Sequence, residues 1–143
     1  MTAPSDFRLL HHLPHLLRRA HFESDAVFTQ VYGDSVTSRQ LAVLAVLARL
    51  PGSSQSQVAS EIGLDLNTCS DLVARMVAKG LLSRERSPTD GRTFALHLTD
   101  TGRDIALEGV ARAAEYQAAV AQRLTEAERD ELVALLRKLI GFA

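Results

Sequence analysis

The sequence predicts a mainly α-helical chain interrupted once by a short β-hairpin. Three observations carry this reading. Apolar residues recur at helical spacing over most of the chain. Pairs with capping-box spacing, Thr37 with Gln40, Ser54 with Gln57 and Thr125 with Glu128, mark helix starts. Between Leu81 and Leu98 the period switches from about 3.6 to 2, around the turn residues Pro88-Thr89-Asp90-Gly91.

The elements follow in order. Residues 1–12 read as an arm or a loose turn. Pro14 suits the first turn of a helix, where its missing N–H is not needed. Leu13, Leu16, Leu17, Ala20, Val27, Phe28 and Val31 then recur at helical spacing up to the stop at Gly33. The next helix, 38–50, is apolar nearly all round, which predicts burial, and Pro51-Gly52 ends it. Ser54 opens a short helix with Val58, Ala59 and Ile62 on its apolar face, ended by Gly63. Asp65 is a good N-cap for the following helix, because its carboxylate can accept from the orphan amides there. In that helix Leu66, Cys69, Leu72, Val73, Met76 and Val77 form the expected inward stripe. Asn67, Thr68, Ser70, Asp71 and Arg75 are left facing out, and Gly80 is the stop. In the second strand Phe94, Leu96 and Leu98 share one face, and Thr93, Ala95 and His97 the other. Thr99 and Asp100 open a helix expected to run to about residue 122, and a last helix starts at Thr125.

Composition bounds the class. The 143 residues suit one ordinary domain, and 46% hydrophobic with 23% charged residues suits a packed core. A formal net charge of -1 neither supports nor excludes a nucleic-acid partner. No apolar run approaches the ~18–20 residues of a membrane span. The start, MTAPSDFRLLHHLPHLL, lacks the apolar core and cleavage site of a signal peptide. The single cysteine fits a reducing compartment, so the expected location is cytoplasmic.

Two compact helices joined by a Gly-containing turn make a helix-turn-helix, and a β-hairpin directly after them makes the winged-helix order. The second helix can then enter the major groove of double-stranded DNA, with its first side chains at base edges. The hairpin becomes a wing whose tip can approach the minor groove, where an arginine exploits the concentrated negative potential. That gives Arg92 a role. Arg84 and Arg86, two apart on one strand face, can reach phosphates. The expected DNA-contacting set is Asn67, Thr68, Ser70, Asp71, Arg75, Arg84, Arg86, Arg92 and Thr93, with Asp90 holding the wing turn. Between Ser53 and Gly102, five basic residues stand against six acidic ones. Asp71 must therefore accept from a cytosine amine or be paired, and Arg75 is its (i, i+4) partner. The near-neutral lobe is the one feature favouring the alternative, a winged-helix interaction module without DNA binding.

Other side chains have plainer readings. Cys69 falls on the inward stripe and reads as a small core hydrophobe. His11, His12, His15 and His21 have no ligand cluster beside them, so no metal is expected. No nucleophile motif joins the Ser, His and Asp residues, so neither enzyme activity nor a cofactor is expected.

The stretch DGRTFALHLTDTG fits D-x-R-x-x-x-L-x-L-T-x-x-G and resembles the wing signature of the MarR family of bacterial regulators. The stretch LDLNTCSDLVARMVAKGLLSRERSPTD is similar to that family's recognition helix and first wing strand. The resemblance, over about residues 13–142, implies a homodimer. Residues 13–36 and 103–143 would supply dimerisation helices, and 37–102 the winged lobe that binds half of a pseudo-palindromic operator. It also implies repression controlled by a small effector, usually aromatic, held between the lobes and the dimer region. LPHLLRRAH resembles a branch regulating breakdown of aromatic acids or aromatic acyl-CoA compounds. For such an anion the chain offers Arg18 and Arg19 near His15 and His21, with Phe22, Phe28 and Leu44 for the ring.

Overall fold

The structure, a computed structural model, describes residues 3–86, 91 and 93–142. Its helices are α1 (Leu13–Tyr32), α2 (Ser38–Arg49), α3 (Gln55–Ile62), α4 (Leu66–Ala78), α5 (Asp100–Ala111), α6 (Ala113–Val120) and α7 (Glu126–Leu139). The strands β1 (Leu82–Arg86) and β2 (Phe94–Leu98) form one antiparallel hairpin. The fold is thus mainly α with a β-hairpin wing. The segment expected to be an arm or a loose turn holds two single 3-10 turns, Pro4–Asp6 and Leu9–His11.

All three capping boxes form, each with the hydroxyl accepting from the third backbone amide and the amide or carboxylate reaching back. The box at Thr37 also satisfies Gln40, which is buried and would otherwise leave a polar head without a partner. Gly63 ends α3 at φ 73°, a left-handed conformation that costs an L side chain, so the chain can turn at once into the Asp65 cap.

The chain divides into two compact units. One holds the segment up to Val31 together with Ala114 onward, and the other holds Tyr32–Ala113. In the second unit, the core is Val43, Leu44 and Leu47 of α2, Val58 and Ala59 of α3, Cys69, Val73 and Met76 of α4, then Leu81, Leu82, Leu96 and Ala106. This compact unit takes in α5 as well as the 37–102 that the family resemblance implies for the winged lobe. The reason is close packing on α2: a Cβ on Gly109 would lie 2.4 Å from Leu41 Cδ1. Tyr32 also donates its hydroxyl to the Gly109 carbonyl at 2.8 Å.

The wing is anchored on both edges of β2. Its register pairs Leu82 with Leu98, Arg84 with Leu96 and Arg86 with Phe94. On the other edge, Ser54 bridges Ala95, Gly52 donates to the Leu96 carbonyl, and Leu96 donates to the Ser53 carbonyl. This isolated bridge is not announced by the sequence, because Pro51-Gly52-Ser53 reads only as a turn.

Two expectations are corrected. Leu66 is not on the inward stripe but 55% exposed, because it sits in the first turn, before the stripe of Cys69, Leu72, Val73 and Met76 meets the core. The helix expected over 100–122 is broken at Arg112, whose N–H is shared between the Glu108 and Val110 carbonyls. The break falls at the boundary between the two units and has neither proline nor glycine to announce it. Phe94 shares the face of Leu96, as the period of two requires, and is 43% exposed while Leu96 is fully buried.

Candidate nucleic-acid interface

The outward side of α4 begins at its cap. Asp65 accepts from the Thr68 N–H and from the Thr68 hydroxyl, both at 2.8 Å. Those bonds, the backbone one first, hold the Asp65 carboxyl below its ordinary range. Thr68, expected to face DNA, therefore already commits its hydroxyl to the cap. Asn67, Ser70, Asp71 and Arg75 are exposed. Asp71 and Arg75 do not form an ion pair among the described residues, so the pairing anticipated from their spacing is not made. Behind this face Cys69 is fully buried, with its thiol directed at the Gln55 carbonyl at 3.7 Å. Burial, and then the nearby Asp65 charge, push its thiol up from the ordinary value.

The wing supplies the second group of side chains. Arg84 and Arg86 are exposed, and the register puts both on the face of Leu96 and Phe94. Arg84 lines a cleft with Ser54, Gln55 and Ser56 at the start of α3 and with Thr93, Phe94 and Leu96 of the wing. Arg86 donates to the Gly91 carbonyl at 2.8 Å and lies over the Phe94 ring, 5.7 Å from its centroid. It thereby braces the hairpin as well as presenting charge. On the opposite face Glu85 meets His97 at 3.7 Å. Arg92 and Asp90 lie outside the described residues. Gln55 and Ser56, at the start of α3, line this cleft but are not among the side chains expected to face DNA. The capping box at Ser54 marks that start as a helix N-terminus, which is the available signal.

The residues expected to hold an effector fall into two groups. On α1, Arg18 donates to His15 Nδ1 at 2.8 Å. Desolvation, and then the Arg18 and Arg19 charges, lower the His15 pKa from its ordinary value. His21 faces Asp25 at 3.4 Å and lies beside the exposed Phe22. Phe28 is buried edge-on against Tyr116, 5.4 Å between centroids, and the Ser24 and Tyr116 hydroxyls meet at 2.6 Å. Leu44 is fully buried in the core of the other unit. Among the described residues no group of three or more His, Cys, Asp or Glu side chains could hold a metal ion. Nor is any helix among them long and apolar enough to cross a membrane.

A helix-turn-helix whose second helix is polar outward, followed by a two-stranded wing with arginines on one face, defines a winged helix-turn-helix DNA-binding protein. Residues 34–93 match the MarR family. A putative transcriptional regulatory protein for the hcr operon of Thauera aromatica is 36% identical over 112 residues, 74% of this chain. The chain spans 64% of that protein, under two thirds of its length. The PcaV transcriptional regulator of Streptomyces coelicolor, solved with its natural ligand, superposes with a TM-score of 0.88 at 31% identity, covering 98% of this chain and 97% of that one. BpsR of Bordetella bronchiseptica, solved to explain regulation of its DNA binding by 6-hydroxynicotinic acid, gives 0.88 at 32% identity over 94% of this chain and 97% of that one. The chain belongs to the MarR family and is a DNA-binding transcriptional regulator.

Proposed function

We propose that the protein is a repressor that binds a pseudo-palindromic operator as a homodimer and is released by a small aromatic acid or aromatic acyl-CoA. The observation that carries DNA reading is the outward face of α4, with Asn67, Ser70, Asp71 and Arg75, beside the wing arginine Arg84. Side chains at the start of the helix meet base edges, while the wing arginines meet phosphate and the minor groove. Dimerisation is supported by α7, none of whose residues is buried in the single chain although Leu132, Val133, Leu136 and Leu139 line it. An exposed apolar face of that extent suits a partner helix better than water.

Arg92→Ala is the direct test of the wing. It is expected to weaken binding of a duplex footprinted from the flank of the protein's own coding region by about 1–3 kcal/mol. Urea stability should change by no more than about 0.5 kcal/mol, as for most surface substitutions. Wild-type affinity in the variant removes the wing from the reading. In the same assay the logarithm of affinity should fall steeply and linearly with the logarithm of salt concentration, because bound phosphates release counterions. A salt-independent affinity points instead to a protein-docking module.

The effector reading is supported by the cations gathered on α1 and by the ligand-bound PcaV and ligand-regulated BpsR. One arginine of the Arg18–Arg19 pair would hold the effector's carboxylate, with His15 and His21 beside it and Phe22 and Phe28 toward the ring. Adjacent helical residues point about 100° apart, so the two arginines have different duties. Calorimetry against aromatic acids and their CoA thioesters should find a binder whose affinity drops in Arg18→Ala or in Arg19→Ala. DNA should lower effector affinity by the factor by which effector lowers DNA affinity. Unchanged binding in both variants moves the site elsewhere.

A further inference from the structure

Leu66 is the first residue of α4 and is more than half exposed. Single leucines on a protein surface are ordinary. The surroundings of this one are not. At about 100° per residue, Leu66 stands about 20° from the inward Val73 and about 40° from the exposed Ser70, so it marks the border between the inward stripe and the polar side, left exposed at the first turn of α4. The Cα–Cβ bond of a helical residue tilts toward the helix N-terminus. From the first position, Leu66 therefore leans ahead of the helix and not back along it. Its mount is firm, because the Asp65 carboxylate ties down both the Thr68 amide and the Thr68 hydroxyl within the same turn. The lobe has no use for it as packing, since Cys69, Leu72, Val73 and Met76 already fill the inward side.

We propose that Leu66 is a specificity-determining residue that packs against the 5-methyl group of thymine in the major groove. The inference rests on the DNA-binding reading above. Base edges in that groove present donors and acceptors, and the thymine methyl is their apolar feature. Leucine has nothing to offer an amine or a carbonyl, and covering one would strip its water without replacing the bond. Against a methyl group it sheds water from both surfaces. Asn67 and Ser70 remain free to hydrogen-bond the neighbouring edges, so Leu66 adds a preference that the polar residues cannot supply.

The test uses the full-length protein and a duplex selected by it from a random-sequence pool. Each thymidine of the half-site is replaced in turn by deoxyuridine, which pairs alike but lacks the methyl. At one position per half-site, deoxyuridine should weaken wild-type binding about fourfold for each methyl removed. Leu66→Ala should bind thymidine and deoxyuridine duplexes equally, and Leu66→Met should restore part of the preference. Leu66→Ala should melt with the wild type, which separates the effect from misfolding. The inference is overturned if the wild type is indifferent to deoxyuridine everywhere, or if Leu66→Ala keeps the same penalty. If no duplex is selected at all, the DNA-binding reading falls and this inference falls with it.

Discussion

Gly102→Ala should destabilise the protein by about 3 kcal/mol, although alanine is the better helix former. The reason is the junction behind the wing. Thr99 caps α5 by accepting from the Gly102 N–H at 3.0 Å. Its own hydroxyl donates to the Gly80 carbonyl at 2.6 Å, and its N–H donates to the Leu81 carbonyl at 3.1 Å. These bonds press the first turn of α5 onto the end of α4 and the start of β1. A Cβ on Gly102 would sit 2.1 Å from the Leu81 carbonyl oxygen, which is backbone and cannot swing aside. Overpacking of this kind costs about 1–3 kcal/mol, and each loosened junction bond adds about 0.5–1.5 kcal/mol. Urea unfolding at fixed protein concentration measures the loss. A variant as stable as wild type would mean that α5 can lift off Leu81 freely. The same geometry gives the L-T-x-x-G end of the wing motif a structural role: threonine and glycine seat a helix.

Leu44→Ala should cost about 2–5 kcal/mol, the range for emptying a leucine site in a core that collapses only partly. Leu44 is among the largest fully buried side chains, with Val43 and Leu47 of α2 buried beside it. Leu44→Met nearly conserves volume and should cost less than about 1.5 kcal/mol. The pair also separates packing from effector contact. If Leu44 touches the ring of an effector, the methionine variant should stay folded yet shift effector affinity in calorimetry. If it is core alone, the methionine variant should bind effector as wild type does.

The helices were legible because their signals are local. Thr37, Ser54, Asp65 and Thr125 each cap the helix they announce, and the stripe from Cys69 to Met76 is buried as its spacing requires. What escaped depends on partners far along the chain. Leu66 has the spacing of a core residue but is 55% exposed at the first turn of α4. The strand-like run at Gly52 to Ser54 exists only because β2, some forty residues later, offers a free edge. The break at Arg112 reflects where one compact unit ends, which no residue type marks. In the site, the exposure of Asn67, Ser70, Asp71 and Arg75 followed from periodicity, whereas the engagement of Thr68 with Asp65 and of Arg86 with Gly91 and Phe94 could be read only from geometry.

Pairing on both sides of β2 has a further consequence, for solubility. A strand edge with unused amides and carbonyls is a template for another chain. At Leu96 the edge of β2 is taken by Gly52 and Ser53, which leaves the outer side of β1 exposed among the described residues. That side belongs to a strand reading Leu-Ser-Arg-Glu-Arg, and charge is what deters edge-to-edge growth. Arg84 and Arg86, proposed above to meet phosphates, thus also place charge along that open edge. Exchanging Arg84, Glu85 and Arg86 together for valine or threonine would remove that charge, leaving a protein that stays dispersed only while dilute.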